Sequence, residues 1–189
     1  MNYLGGMTNP EIIQCVFDIK SWFIRSSDIL EDKIIKATSI DFQKLEKTMD
    51  IELPRTLKIL LNEMNGGIYF MDMKLMSTNE IIKFYLKLET NKEWKNNLYI
   101  PLAYNDDIIL IMKKLYHDDH DDGEVYEWEI DNEDSNNGCL GSLVCSSLSK
   151  YLEDYRNNLL SGHYDYLDDV GVIEVGSSSS SGGGTKSKK

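Results

Sequence analysis

The densest group of reactive side chains in the chain is the run HDDHDDGE at residues 117–124. Zinc and nickel accept imidazole and carboxylate ligands, so His117 and His120 with the neighbouring aspartates could hold a transition metal. Two histidines three residues apart in a charged turn are, however, more often polar loop residues than ligands. We keep a metal-dependent protein as the alternative from another class, while the main interpretation includes no metal and no cofactor.

The same run can be compared with a calcium-binding loop. It places Asp118, Asp122 and Gly123 at the first, fifth and sixth positions of an EF-hand, and Glu129 at the twelfth. The third position is His120, a poor ligand for a hard cation, and the flanking residues are typical of strands. The pattern therefore favours a charged hairpin tip.

Nucleophilic catalysis has little support in the residue pattern. The chain contains no GxSxG elbow and no phosphate-binding glycine loop. A Cys–His pair would have to join Cys139 or Cys145 to His163, and Cys145 is better explained as a small core residue. Three cysteines without a CxxC pair also argue against a disulfide framework and a thiolate zinc site. We predict that the chain is not an enzyme.

The overall charge indicates which partners the chain can attract. Against 20 basic residues stand 32 acidic ones, which gives a net charge of -12. Such a field repels phosphate backbones and attracts basic proteins, so we expect a protein partner and no nucleic acid. No apolar run approaches the ~20 residues of a membrane span, and the first residues lack a signal-peptide profile. These features predict a cytoplasmic or nuclear protein that does not contact membranes.

Start and stop signals place the helices that must position these groups. The start signals are Asn9-Pro10-Glu11 with Asn9 as N-cap, Thr38 with Asp41, Pro54, Ser77 with Glu80, and Ser146 or Ser147. Apolar residues at helical spacing follow each signal, which predicts a first helix over about 10–24 and a last one that ends at Gly162. Asn65-Gly66-Gly67 predicts a helix end, because Asn and Gly tolerate the left-handed conformation.

Strands are predicted between the helices. The segments are a bent strand or hairpin at 68–76, strands at 98–104, 108–115 and 124–130, a short piece at 142–145, and a candidate edge strand at the end of 164–175. Residues 131–141 are expected to form a polar loop. Residues 176–189 carry no apolar side chain to bury, so they are predicted to be a disordered tail.

This order of elements resembles the SUKH superfamily, the SMI/KNR-type cell-wall-regulator and immunity-protein fold. The resemblance rests on DFQKLEKTMDIELPRTLKILLNEMNGG, where Leu53-Pro54 and Asn65-Gly66-Gly67 match the family's helix start and helix stop. Further matches are residues 100–103 before a hairpin, and the serine-rich step into the last helix at 146–152. The resemblance covers roughly residues 38–165.

The resemblance implies an α+β fold with a single curved, mostly antiparallel sheet flanked by helices, and a role in protein recognition. It implies that bacterial members neutralise toxins, often nucleases, and that eukaryotic and large-virus members act as regulatory or scaffold subunits. Fold analogy does not choose between these roles. The expected organisation is an N-terminal helical extension at 1–37, a SUKH-like domain at 38–175, and the tail at 176–189.

The segment 124–130 is the best candidate for a partner-binding surface. Its aromatic residues Tyr126 and Trp128 alternate with acids, which predicts a strand with one wet, anionic side. The predicted partner-binding residues are Asp118, Asp119, Asp121, Asp122, Glu124, Tyr126, Glu127, Trp128 and Glu129, with Tyr69 and Trp94 in reserve. We therefore predict a non-catalytic regulatory or scaffold subunit that binds a basic or polar protein, with a toxin-neutralising immunity protein as the alternative.

Overall fold

A computed structural model describes residues 7–27, 31–113, 122–131 and 138–175. The helices are α1 (Asn9–Ser26), α2 (Ser39–Met49), α3 (Arg55–Glu63), α4 (Thr78–Leu88), α5 (Lys92–Asn96) and α6 (Leu148–Leu160). The strands are β1 (Tyr69–Phe70), β2 (Met73–Leu75), β3 (Tyr99–Tyr104), β4 (Ile108–Lys113), β5 (Glu124–Ile130), β6 (Gly138–Cys145), β7 (Tyr164–Leu167) and β8 (Gly171–Glu174). The predicted tail at 176–189 lies outside the described residues.

Short-range hydrogen bonds set the predicted helix starts. The Thr38 hydroxyl accepts from Asp41 N at 3.3 Å while the Asp41 carboxylate accepts from Thr38 N at 2.8 Å, so the capping box is confirmed. Ser77 and Glu80 form the same arrangement at α4. At α1 the prediction of Asn9 as N-cap was wrong, because Thr8 is the cap and Asn9 is the first helical residue.

One six-stranded antiparallel sheet forms the centre of the fold. Its strands follow chain order from β1 to β6, so each strand pairs with its sequence neighbour. Residues 109–112 of β4 are all buried, and successive residues of a strand point to opposite faces. Both faces of the sheet are therefore covered at β4. This α+β arrangement, a curved antiparallel sheet with flanking helices, confirms the predicted fold class.

The two edges of the sheet differ. β7 and β8 form a separate hairpin beside β1, where Val172 N donates to Met71 O at 2.8 Å. Residues 171–174, predicted as an edge strand, thus pair with β7 instead of extending the main sheet. At the other edge, β6 begins at Gly138, so the expectation of a loop through residue 141 was wrong.

Helix α1 belongs to the same hydrophobic core as the sheet. It packs on α3 and α6 through Ile12, Cys15, Val16, Ile19 and Phe23, all of which are buried. Across the described ranges, no helix has both the length and the apolar character that a membrane crossing requires.

Candidate functional site

The predicted binding strand β5 lies between β4 and the edge strand β6. Its pairing with β4 is regular, but its pairing with β6 shifts register between Val125 and Tyr126 and again between Tyr126 and Trp128. Bulges of this kind bend and twist an edge strand and are frequent next to functional sites. The hydrogen-bonded pairing of β5 with β6 is therefore irregular around Tyr126.

Trp128 lies in the core and not on the surface. Its side chain has no exposed area, and its ring meets Trp94 edge to face with centroids 5.1 Å apart. Trp94, from the short helix α5, is also buried, and its ring centroid lies 5.6 Å from that of Tyr99. Neither tryptophan offers a surface that a partner could reach.

The acidic residues of β5 do reach the surface. Glu129 is exposed, and Glu124 and Glu127 are partly exposed. Tyr126 donates its hydroxyl proton to Glu124 Oε2 at 2.8 Å, and this bond, with a smaller contribution from burial, raises the pKa of the Tyr126 phenol. The Ser142 hydroxyl of β6 donates to Glu127 Oε2 at 2.7 Å. These hydrogen bonds hold two carboxylates in place along the β5–β6 edge.

Asp122 has a structural role at the start of α6. Its carboxylate accepts from Ser149 N at 2.8 Å and 3.1 Å, which satisfies a backbone donor of the first helical turn. Burial raises the pKa of this carboxyl, and hydrogen bonds from residues 147–149 act in the opposite direction. Asp118, Asp119 and Asp121, like His117 and His120, lie outside the described residues.

The sequence interpretation missed two apolar residues next to these acids. Leu143 and Val144 of β6 are 53% and 41% exposed. Leu143 pairs with Tyr126 in the register, so it lies on the same sheet face as that ring. The run LVC between two serines indicated a short apolar strand. Because a loop was predicted through residue 141, neither the full length of β6 nor its place at the sheet edge was predicted.

The described residues contain few groups arranged for catalysis or metal binding. His163 Nδ1 and Ser161 Oγ lie 2.8 Å apart on an exposed turn. Among the described residues, no Asp or Glu side chain forms a hydrogen bond with the His163 imidazole. Cys139 and Cys145 are free thiols. Within ranges 7–27, 31–113, 122–131 and 138–175, no three His, Cys, Asp or Glu side chains lie close enough together to hold a metal ion.

Comparison with known proteins gives one family. The model of the SMI1 / KNR4 family (SUKH-1) matches residues 36–154, which is more than half of the chain. The matched segment runs from just before α2 into α6 and includes β5 and β6; α1 and the β7–β8 hairpin lie outside it. A search of curated proteins found no match.

Proposed function

Because the chain belongs to the SMI1 / KNR4 family (SUKH-1), we propose that it is a non-catalytic protein-binding module that acts as a regulatory or scaffold subunit. Its binding surface lies along the β5–β6 edge and includes side chains from both faces of the sheet; we call it the acidic face and define it as Glu124, Tyr126, Glu127, Glu129, Leu143 and Val144. The observation that carries the proposal is the position of exposed Leu143 and Val144 beside ordered carboxylates on an edge strand. We place the protein in the cytoplasm or nucleus.

Charge sets the chemistry of the partner. Glu127 and Glu129 belong to a chain with a net charge of -12, so a protein with a basic or polar surface is attracted and nucleic acid is repelled. Complementary charge raises the association rate and suppresses anionic competitors. The partner therefore presents lysine or arginine side chains to this face.

The apolar residues of the acidic face supply the affinity. Interfaces obtain most of their binding energy from a few residues at the centre, surrounded by a polar rim. Leu143 and the partly exposed Tyr126 ring form that centre on one face of the sheet. Glu127 and Glu129 point to the other face and form the rim, so the partner covers the β5–β6 edge from both sides. Trp128 stabilises the strand from inside and makes no contact with the partner.

Neutralisation of a toxin is the alternative role for the same acidic face. An immunity protein would cover a cationic toxin with this face, so the complex would be very tight and its association would slow steeply as salt rises. A regulatory partner would bind more weakly. The affinity for the captured partner separates the two roles.

The experiment compares two charge reversals of equal size. The full chain and the variant Glu127→Lys/Glu129→Lys are used to capture proteins from native lysate at low and at high salt. The control Glu31→Lys/Glu174→Lys changes two exposed acids that lie away from β6. We expect one protein that the wild type and the control retain at low salt and that the β5 variant loses. If no protein is retained at low salt, or if the β5 variant retains it equally, the proposal is wrong.

A further inference from the structure

A second surface of different chemistry lies on the helical side of the molecule. Residues of helices α1, α2 and α3 line an open groove with a volume of about 390 Å³, which we call the helical groove. Its walls include Ile13 of α1, Phe42 of α2, and Arg55, Lys58 and Ile59 of α3. A volume in this range is typical of sites that take a small molecule or an anchoring side chain of a partner.

The wall formed by α1 is apolar and exposed. Ile13 is 52% exposed and Phe17 is 56% exposed, and their separation of four residues puts them on one side of the helix. Lys20, three residues further along this side, forms an ion pair with Glu63 of α3 at 3.2 Å. Phe17 therefore lies between two residues that border α3, at the rim of the helical groove.

These apolar side chains are additional to those that hold α1 in the fold. The buried stripe of α1, from Ile12 to Phe23, already packs on α3 and α6. Exposed apolar side chains grouped at a groove indicate a binding surface more than scattered ones do. Helix α1 also lies outside the family match at 36–154, so the helical groove needs a part of the chain that the match does not include.

The charges of the helical groove are inverted relative to the whole chain. Lys20 and Lys36 both contact Glu63, at 3.2 Å and 2.9 Å, which leaves this cluster with one positive charge in excess. Lys58 contacts Glu46 at 2.7 Å and Glu52 at 3.9 Å. Among the residues that line the groove, Arg55 and Lys58 are basic and Glu63 is acidic, so the lining has one positive charge in excess.

Arg55 is the cation best placed to bind a carboxylate from outside. The Asn9 amide oxygen, in the orientation that satisfies its hydrogen bonds, accepts from the Arg55 guanidinium, with Nη1 at 2.9 Å, Nη2 at 3.2 Å and Nε at 3.3 Å. Within the described residues the guanidinium forms no ion pair, and it has five N–H donors in a fixed plane. It is thus oriented by Asn9 while donors remain for a partner.

We propose that the helical groove binds an amphipathic, acidic helix of another protein. Apolar residues of that helix at i, i+3 or i+4, and i+7 cover Ile13, Phe17 and Ile59, and a carboxylate binds Arg55. This partner has the opposite charge from the one expected at the acidic face. The chain would then connect two proteins, so the inference goes beyond the proposed function and does not depend on it.

The test uses a phage-displayed library of random peptides long enough to form a helix, about 15 residues. The library is selected on the full chain, and enriched peptides are titrated by fluorescence anisotropy against the wild type, Ile13→Asp, Arg55→Glu and Glu127→Lys/Glu129→Lys. We expect enriched peptides with apolar residues at helical spacing and at least one Asp or Glu. Affinity should fall about tenfold or more in Ile13→Asp and Arg55→Glu, and should stay unchanged in the β5 variant, which changes only the acidic face.

Several outcomes would overturn the inference. One is the absence of any enriched peptide, and a second is enrichment of basic peptides that the β5 variant no longer binds. A third is an affinity in Ile13→Asp and Arg55→Glu equal to that of the wild type. A concentration-dependent dimer that Ile13→Asp abolishes would instead assign the helical groove to a second copy of the chain. Phe17→Asp, at a 56% exposed position, replaces Ile13→Asp if circular dichroism shows that the first variant is unfolded.

Discussion

Trp94 and Trp128 meet edge to face, with ring centroids 5.1 Å apart and ring planes at 84°. The contact joins the short helix α5 to strand β5, and both side chains are buried. Edge-to-face geometry suits the charge distribution of aromatic rings. The Trp128 ring therefore anchors strand β5 in the core, while the glutamates of β5 and the neighbouring Leu143 and Val144 reach the surface.

Replacing Trp128 should destabilise the fold. We expect Trp128→Ala to lower the free energy of unfolding by about 3–5 kcal/mol, because the substitution leaves a cavity beside Trp94 and Tyr99. Urea denaturation measures the change. The control Glu129→Ala, at an exposed position of the same strand, should stay within about 0.5 kcal/mol of the wild type. Equal stability of the two variants would contradict the burial of Trp128.

The capping box of α4 should make stability depend on pH. Burial raises the pKa of the Glu80 carboxyl, but hydrogen bonds from Ser77 and the nearby Lys74 ammonium outweigh it, so the pKa lies below its ordinary value. A carboxyl group whose pKa is lowered in the folded state stabilises the fold at pH values above its ordinary pKa. This contribution is lost as the pH falls through the lowered pKa. Glu80→Gln should therefore cost about 1 kcal/mol at neutral pH and less in acid.

Urea titrations of the wild type and Glu80→Gln at pH 7 and at about pH 3 test this assignment, since the second value lies below the ordinary glutamate pKa. A difference in unfolding free energy that is the same at both pH values would show that the Glu80 charge contributes nothing.

Two glycines with similar φ angles provide a matched test of close packing. Gly67 has φ +81° and Gly162 has φ +76°, but a methyl group at Gly67 would collide with the Lys33 carbonyl, whereas nothing lies within 4 Å at Gly162. Gly162→Ala should cost about 1–2 kcal/mol for the left-handed conformation alone. Gly67→Ala should cost clearly more in the same thermal or urea unfolding measurement. Equal costs would mean that residues 33 and 67 are not in contact.

Thiol reactivity should report the packing of α1. Burial raises the pKa of Cys15 to about 11, so little thiolate forms near neutral pH, while Cys139 is exposed. Since the thiolate is the reactive form, native protein should react quickly with a disulfide reagent at Cys139 and only after unfolding at Cys15. Peptide mapping of the labelled sites gives the result. Rapid labelling of Cys15 in native protein would contradict the packing of α1 on α3 and α6.

The parts of the fold that depend on neighbours in sequence could be predicted. Thr38 with Asp41 and Ser77 with Glu80 lie three residues apart, so their capping bonds follow from local geometry. The helix stop at Asn65-Gly66-Gly67 is equally local, since both glycines adopt positive φ. Local signals of this kind place the described helices except α5 without tertiary information.

Contacts between distant residues could not be predicted. The side of β5 that Trp128 buries depends on Trp94, 34 positions earlier in the short helix α5, for which we predicted no helix from the sequence. The early start of β6 depends on pairing with β5 and on the Asn91 amide, which donates to Gly138 O at 3.1 Å. The helical groove likewise exists only because α1 packs on α3.

The affinity of the acidic face for its captured partner is the most direct test of the central claim. Titration calorimetry would compare the wild type with Glu127→Lys/Glu129→Lys, Leu143→Ser and the control Glu31→Lys/Glu174→Lys. We predict that the dissociation constant rises about tenfold or more in the first two variants, equivalent to about 1.4 kcal/mol, and is unchanged in the control. Binding that is equally tight in all four proteins would show that the partner does not use the acidic face.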